Sequence, residues 1–376
     1  MTSTLGRLRY LGLGLGRLHH WHDGLGEFSR QLGRALAARA HELLEQHGLA
    51  LVFHLPERLH GEFGSDVGYL DTHTLQRFIH HRPMRFALWH TLHQHNRLRP
   101  PMGTVRVVET VHDLNFLHTK QSSRQAAYLK RMQQRLERAS ACIAITQHVA
   151  DDIARHVAPR QPARVIHNGA TDLTGITPTP VPGLDDAPYL LHVSRMAPTK
   201  NIAALLELAA TWPEQRLVLA GAASPYTHWV QQMIEERRLH NVRVRLDVTE
   251  QEKAWLYAHC RGFLFPSLAE GFGLPPIEAM HFGKPVFLSR LTSLPEVGGD
   301  VAWYFDTFDG THMREVVQHG LAAHQREGRA AALQAHARRF SWDACTQAYI
   351  ELYLDQLGLA YDGHAGHPDD LQRVTG

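Results

Sequence analysis

The 376 residues carry 44% hydrophobic and 20% charged side chains and a net charge of +2. These proportions match a soluble globular protein and argue against a disordered chain. No apolar run reaches the roughly 18 residues of a membrane-spanning helix, and the length favours two domains of ordinary size.

In chain order, the first segment, LRYLGLGLGRLHHW, is apolar only briefly, is studded with glycine and lacks a small-residue cleavage site. A signal peptide is therefore rejected and a cytoplasmic location expected. Its Gly12, Gly14 and Gly16 miss the dinucleotide spacing, and no acidic partner follows at the expected distance, so an NAD site is not predicted. The first half then alternates strand-like and helical runs: GEFSRQLGRALAARAHELLEQHG, LALVFHL, TVRVVETVHD and ACIAITQ. That is the pattern of a parallel sheet covered by helices. A Pro- and Gly-rich stretch near Pro178–Pro188 reads as a linker. Beyond it the alternation restarts with PYLLHVSRM, QRLVLAGAAS, VRVRLDV, GFLFPSL and PVFLSR. The fold class expected is α/β, two Rossmann-like doubly wound domains facing a cleft, with ligands at the carboxyl ends of the strands. The expected divisions are 1–176, a linker over 177–188, a second domain over 189–340, a helix over 341–358 and a disordered tail over 359–376.

Cys142, Cys260 and Cys345 are odd in number and widely spaced, which fits buried thiols in a reducing compartment rather than a disulfide framework. The net charge hides an asymmetry. Up to residue 176 the chain has 22 Lys and Arg against 14 Asp and Glu; the remainder has 39 − 22 = 17 against 37 − 14 = 23. A basic first half suits an anionic membrane surface or a solvated face. A nucleic-acid partner is not expected, because the second half is acidic and no basic-aromatic motif is present.

The stretch EGFGLPPIEAM sets Glu270 and Glu278 on either side of a turn that enters a helix. Pro275 and Pro276 suit first helical positions, which places Glu278 in the first turn. Gly271 and Gly273 leave the main chain bare, so its N–H groups can approach a phosphate at the positive helix terminus. Two carboxylates would repel that phosphate, and are better aimed at neutral hydroxyls. A ligand with hydroxyls at both ends of a diphosphate is a nucleotide sugar. In HVSRMAPTKN, Arg195 and Lys200 follow a strand of the same half and could neutralise a departing diphosphate. A retaining glycosidase, whose two carboxyl groups lie about 5–5.5 Å apart, fits less well than two ends of a donor.

In TVHDLNF, His112 suits a group exchanging protons near neutral pH, with Asp113 either orienting it or accepting an acceptor hydroxyl; a histidine merely satisfied at the end of a strand is the alternative. WHTLHQH carries His90, His93 and His95. It lacks a cysteine pair and a strong zinc spacing, so a polar loop on the acceptor side is preferred to a metal site.

The motifs GLGEFSRQLGRAL, TVHDLNFLH, VIHNGA, HVSRMAPTKN, LVLAGAAS, LFPSLAEGFGLPPIEAM and GKPVFLSRLTSLPEVGGDVAWYFD resemble the retaining GT-B glycosyltransferases of family 4, especially bacterial mannosyltransferase-like members of polysaccharide assembly. The family's paired glutamates fall on Glu270 and Glu278. The resemblance implies that Glu270 meets donor-sugar hydroxyls, Glu278 the ribose, and Arg195 and Lys200 the diphosphate, with Gly271, Phe272, Gly273 and Leu274 forming the donor loop. It implies that His112 and Asp113 face the reacting sugar and acceptor, and that Gly24 and Gly26 of DGLGEF close over the donor, although the commoner double-glycine pattern is missing there. It further implies no metal or other cofactor, a glycan or lipid-linked acceptor, peripheral contact with an anionic membrane, and mannose from GDP-mannose as the first donor to try. Two other readings share the cleft: a nucleotide-sugar- or glycan-binding module without turnover, and a GT-B epimerase.

Overall fold

In the computed structural model the described residues are 8–16, 24–119, 122–184 and 188–359. Asp23 of the DGLGEF stretch and the tail beyond residue 359 lie outside them. Among the described residues thirteen strands form two sheets. The first holds β1 (Arg9–Gly14), β2 (Leu49–Leu55), β3 (Gly68–Asp71), β4 (Phe86–Thr91), β5 (Arg106–Val111), β6 (Ala141–Ala144) and β7 (Arg164–Val165), in the order β3-β2-β1-β4-β5-β6-β7. The second holds β8 (Tyr189–Val193), β9 (Arg216–Gly221), β10 (Val242–Leu246), β11 (Gly262–Phe265), β12 (Val286–Ser289) and β13 (Trp303–Phe305), in the order β10-β9-β8-β11-β12-β13. Every strand pair is parallel. Strands buried on both faces explain the continuous apolar runs, such as fully buried YLLHV in β8.

The switch points fall between β1 and β4 in the first sheet and between β8 and β11 in the second. At such points the crossovers leave in opposite directions and open a crevice beyond the strand ends. Arg195 and Lys200 follow β8, and Glu270 follows β11.

The glycines of β1 have a packing cause. A Cβ at Gly12 would lie 2.2 Å from the Trp89 ring, and one at Gly14 would lie 2.9 Å from Trp89 Nε1. They make room for an indole from the neighbouring strand.

WHTLHQH is not the polar loop expected. Trp89, His90 and Thr91 belong to β4, beside β1 at the middle of the sheet. His90 is fully buried, with Nδ1 2.7 Å from the Tyr353 hydroxyl and Nε2 2.8 Å from Thr110 Oγ1. Burial pushes it down to about 3, so it stays neutral. His93 donates through Nε2 to the Leu15 carbonyl at 3.0 Å.

The final helix, Trp342–Leu357, is started by Ser341, whose side chain accepts from the Ala344 N–H, and is ended by Gly358 in the left-handed region. It leaves the second sheet and returns to the core of the first, where Tyr349, Ile350, Tyr353 and Leu354 pack among Leu11, Phe28 and Leu88. A Cβ on Gly169 would come 2.5 Å from the Trp342 nitrogen, so VIHNGA must pass this helix bare. All three cysteines are buried and free.

Candidate active site

Glu270 lies in the loop after β11, and its main chain is held by the loop after β12. The Glu270 N–H donates to Thr292 Oγ1 at 3.0 Å, and Ser293 Oγ donates to the carbonyls of Glu270 (3.1 Å) and Phe272 (2.8 Å). Thr292 adopts a left-handed φ of 54°, a cost that a β-branched residue accepts only where its surroundings fix it. The side chain of Glu270 accepts from Lys200 Nζ at 2.5 Å. Lys200 ends a 3₁₀ turn, Pro198–Lys200, and lies over the Phe265 ring with Nζ 5.4 Å from its centroid. Arg195, six residues beyond the start of β8, is exposed and makes no ion pair among the described residues.

The helix after the glycine turn begins at Leu274 and ends at His281. Glu278 is therefore its fifth residue, in the second turn rather than the first. The start comes earlier because Gly273, at φ 126°, supplies the entry conformation that side chains avoid. Pro275 and Pro276 bring no N–H, so only Gly273 and Leu274 remain among the four N–H groups a helix start normally leaves unpaired. Glu278 accepts from the Tyr257 hydroxyl at 2.7 Å. Burial raises that phenol and the neighbouring carboxylate raises it further, so it stays a donor. Phe272 turns into the core against Phe340, so only its main chain belongs to the turn.

The first domain meets this turn directly. A Cβ at Gly271 would come 2.1 Å from the His112 carbonyl oxygen and 3.1 Å from Asp113 Cβ. His112 and Asp113 thus abut the turn of Gly271 across the cleft. Gln94 grips both: its Oε1 accepts from the His112 N–H at 3.0 Å, and its Nε2 donates to the Asp113 carbonyl at 3.1 Å.

His112 does not exchange protons near neutral pH as its sequence suggested. Burial pushes it down to about 3. Because a carbonyl only accepts, its contact of 2.9 Å with the Leu92 oxygen fixes the hydrogen on Nε2, leaving Nδ1 as an acceptor. Burial raises the Asp113 carboxyl, and the charge of Glu270 pushes the same way, against the Asn115 N–H that Oδ1 accepts at 2.9 Å.

Gly24 and Gly26 are not in a free loop. They are the first and third residues of the Gly24–Ala38 helix, Gly24 exposed and Gly26 buried. Two residues on, Phe28 meets the edge of the His112 ring at 4.5 Å, which places this helix start beside the cleft.

Three groups here carry no sequence signal. Gln94 and Tyr257 act through long-range contacts. Glu296, in SLPEVGGD of the second domain, reaches the Gln147–His156 helix of the first. It accepts from the N–H groups of Gln147 (2.7 Å) and His148 (3.1 Å), and from His167 Nε2 at 2.7 Å. The same helix is capped by Thr146, whose Oγ1 accepts from the Val149 N–H and donates to the Gly271 carbonyl at 3.2 Å.

The family described as "Glycosyltransferase Family 4" matches residues 22–172, and that described as "Glycosyl transferases group 1" matches residues 180–315. The chain is a glycosyltransferase of the family 4 type. It is 28% identical to the Escherichia coli O-antigen chain mannosyltransferase B over 368 residues, covering 88% of this chain and 95% of that one. Among solved structures it resembles sucrose-phosphate synthase from Thermosynechococcus elongatus at a TM-score of 0.70 and 19% identity, covering 93% and 99% of the two chains. It also resembles Anabaena HepE in complex with UDP and glucose, at a TM-score of 0.69 and 16% identity, covering 92% and 99%. Both share the GT-B architecture of this glycosyltransferase, whose two sheets face each other across the cleft just described.

Proposed function

We propose that this glycosyltransferase moves a hexose, with retention of anomeric configuration, from a nucleoside diphosphate sugar to a hydroxyl of a glycan or lipid-linked oligosaccharide in the assembly of a cell-surface polysaccharide. The observation that carries the reading is the pairing of Glu270 with Lys200 at the β8/β11 switch point, facing His112 and Asp113. One carboxylate, one ammonium and bare backbone there suit a sugar, its diphosphate and the bond between them. Mannose from GDP-mannose is the first donor to test, supported by the name and nearly full-length similarity of the O-antigen mannosyltransferase.

In this reading Arg195 and Lys200 receive the charge that grows on the diphosphate as the anomeric carbon–oxygen bond breaks, so no metal is required. The acceptor oxygen attacks the same face. Its proton passes to the departing phosphate oxygen, and no carboxylate nucleophile is needed. Glu270 accepts from donor-sugar hydroxyls, Glu278 from the ribose, and His112 Nδ1 accepts a further hydroxyl as a neutral ring.

A screen of GDP- and UDP-sugars with membrane glycolipid extract tests this by following nucleoside diphosphate release and the anomeric configuration of the product. Acceptor-dependent release with retained configuration is the expected result. Binding of donor without release under any acceptor would leave a binding module, and inversion would remove the mechanism. Tyr257→Phe should raise the donor KM about tenfold with kcat little changed, the effect of losing one hydrogen bond to a charged group. A lower Tm with an unchanged KM would make the Tyr257–Glu278 pair purely structural.

A further inference from the structure

The second domain carries a pocket at the end of its sheet opposite Glu270. β11 starts at Gly262 and β12 at Val286, side by side and parallel, so Arg261 and Lys284 stand at neighbouring strand starts. Trp212 and Phe282, just beyond the helices Ile202–Thr211 and Leu274–His281, form one wall. The second half of the helix Gly310–Glu327 forms the other, through Gln318, Leu321, His324 and Gln325. The pocket holds about 630 Å³, within the range of about 300–1,000 Å³ of small-molecule sites. It lies at the amino ends of the strands, whereas the donor cleft lies at their carboxyl ends.

Its charge has one sign. None of the residues lining it is Asp or Glu. Lys284 is half-buried and makes no ion pair among the described residues. Arg261 is exposed and donates by one of its nitrogens to Gln215 Oε1 at 2.9 Å. His324 Nδ1 is buried and has no hydrogen-bond partner among the described residues. Burial holds this imidazole below its ordinary value, and the charges of Lys284 and Arg329 push the same way. Two carboxylates that flank the walls in sequence are turned to other cations: Glu214 lies 3.6 Å from Arg314, and Glu327 2.7 Å from Arg326.

We propose that this pocket binds a small phosphorylated sugar, with the phosphate between Lys284 and Arg261 and the sugar hydroxyls on the amides of Gln318 and Gln325, and that its occupancy is felt at the donor site. The occupant follows from the chemistry. An ammonium and a guanidinium without a carboxylate between them suit a phosphate, which accepts from both in charge-assisted hydrogen bonds. The two amides, seven residues apart on one helix face, both donate and accept, as hydroxyls require. The path to the donor is short. Phe282 stacks on Tyr257 with ring centroids 5.8 Å apart, and the Tyr257 hydroxyl donates to Glu278 at 2.7 Å. A ligand against Phe282 therefore acts on the carboxylate assigned to the ribose, and this coupling rests on the proposed donor site.

Calorimetric titration of the full chain with mannose 6-phosphate, inorganic phosphate and mannose tests the site. The sugar phosphate should bind more tightly than phosphate, and mannose should not bind. Lys284→Ala should weaken binding about tenfold, the loss of a hydrogen bond to a charged group. Gln325→Glu, at an exposed position that any side chain tolerates, should weaken it by adding a carboxylate to the pocket. Lys200→Ala should leave it unchanged, which separates the pocket from the cleft. Binding that ignores both pocket variants, or that is lost in Lys200→Ala, overturns the proposal. So does a wild type that no phosphate compound stabilises, paired with a Lys284→Ala protein that only melts earlier; Lys284 then serves the negative end of the helix Leu274–His281 and nothing else. Phosphate binding as tightly as the sugar phosphate overturns the role of the two amides. GDP affinity, measured with and without saturating mannose 6-phosphate, should shift by about fivefold, and an unchanged value overturns the coupling. A chain that binds mannose 6-phosphate in this pocket but never binds a nucleotide sinks the donor reading alone.

Discussion

Glu270→Ala should lower transfer about a thousandfold and leave the fold in place. Two donor-sugar hydroxyls each lose a hydrogen bond to a charged group, about 1.5–3 kcal/mol apiece, and each 1.36 kcal/mol is a factor of ten in rate. The fold survives because the neighbouring loop holds Glu270 by its main chain, through Thr292 and Ser293, and not by its carboxylate. Circular dichroism and Tm check that half of the expectation, and kcat/KM checks the other. The ion pair with Lys200 adds a sharper test. The side chains are 12% and 21% exposed, so each leaves a partly desolvated charge when the other is removed. Lys200→Ala should therefore also fall by orders of magnitude, and the double variant should lose much less than the product of the two single losses. Strict multiplication of the losses would mean that the ion pair does not couple the contact of Glu270 with the sugar to that of Lys200 with the diphosphate.

The two sheets were readable in the sequence because buried parallel strands are written as short apolar runs between helical patterns. Of the strands that escaped, β3, β4, β7 and β13, β4 contains His90 between Trp89 and Thr91, and its polar letters mask a wholly buried position. Only the distant Tyr353 and Thr110, which satisfy the imidazole, make a histidine affordable there. At the site, Glu270, Lys200 and Arg195 were visible because each follows a strand at a switch point. The role of His112 was misread for a physical reason: a free histidine titrates near neutral pH, and only tertiary burial, which composition does not encode, moves it to about 3. Helix boundaries failed by one or two residues for the same reason that Gly24 and Gly26 looked like loop. Glycine permits a turn but also begins a helix when the following residues, here Phe28 and Leu32, have a core to face.

Glu296→Gln should loosen the contact between the domains and do so in a pH-dependent way. In the native structure the carboxylate lies at the N-terminus of the Gln147–His156 helix, where two N–H groups and the positive end of the helix favour negative charge. His167 gives the largest part of the pull that lowers its carboxyl below the ordinary value, overcoming the burial that opposes it. A carboxylate with a depressed folded pKa stabilises the native state above its unfolded value, about 4.3, and loses that contribution as pH falls through the folded value. At pH 7 the glutamine variant, which keeps the shape and one acceptor but not the charge, should be less stable by about 2 kcal/mol. The gap should close as pH falls through the lowered folded value, because wild-type Glu296 becomes protonated and resembles the variant. Since the same helix cap holds Gly271 against Thr146, the kcat at neutral pH should fall about thirtyfold while donor affinity changes less. Paired thermal denaturation of the two proteins from pH 3 to pH 8 measures the gap directly. A Tm difference that stays constant down to the lowest pH would show that the geometry of Glu296, and not its charge, joins the two domains.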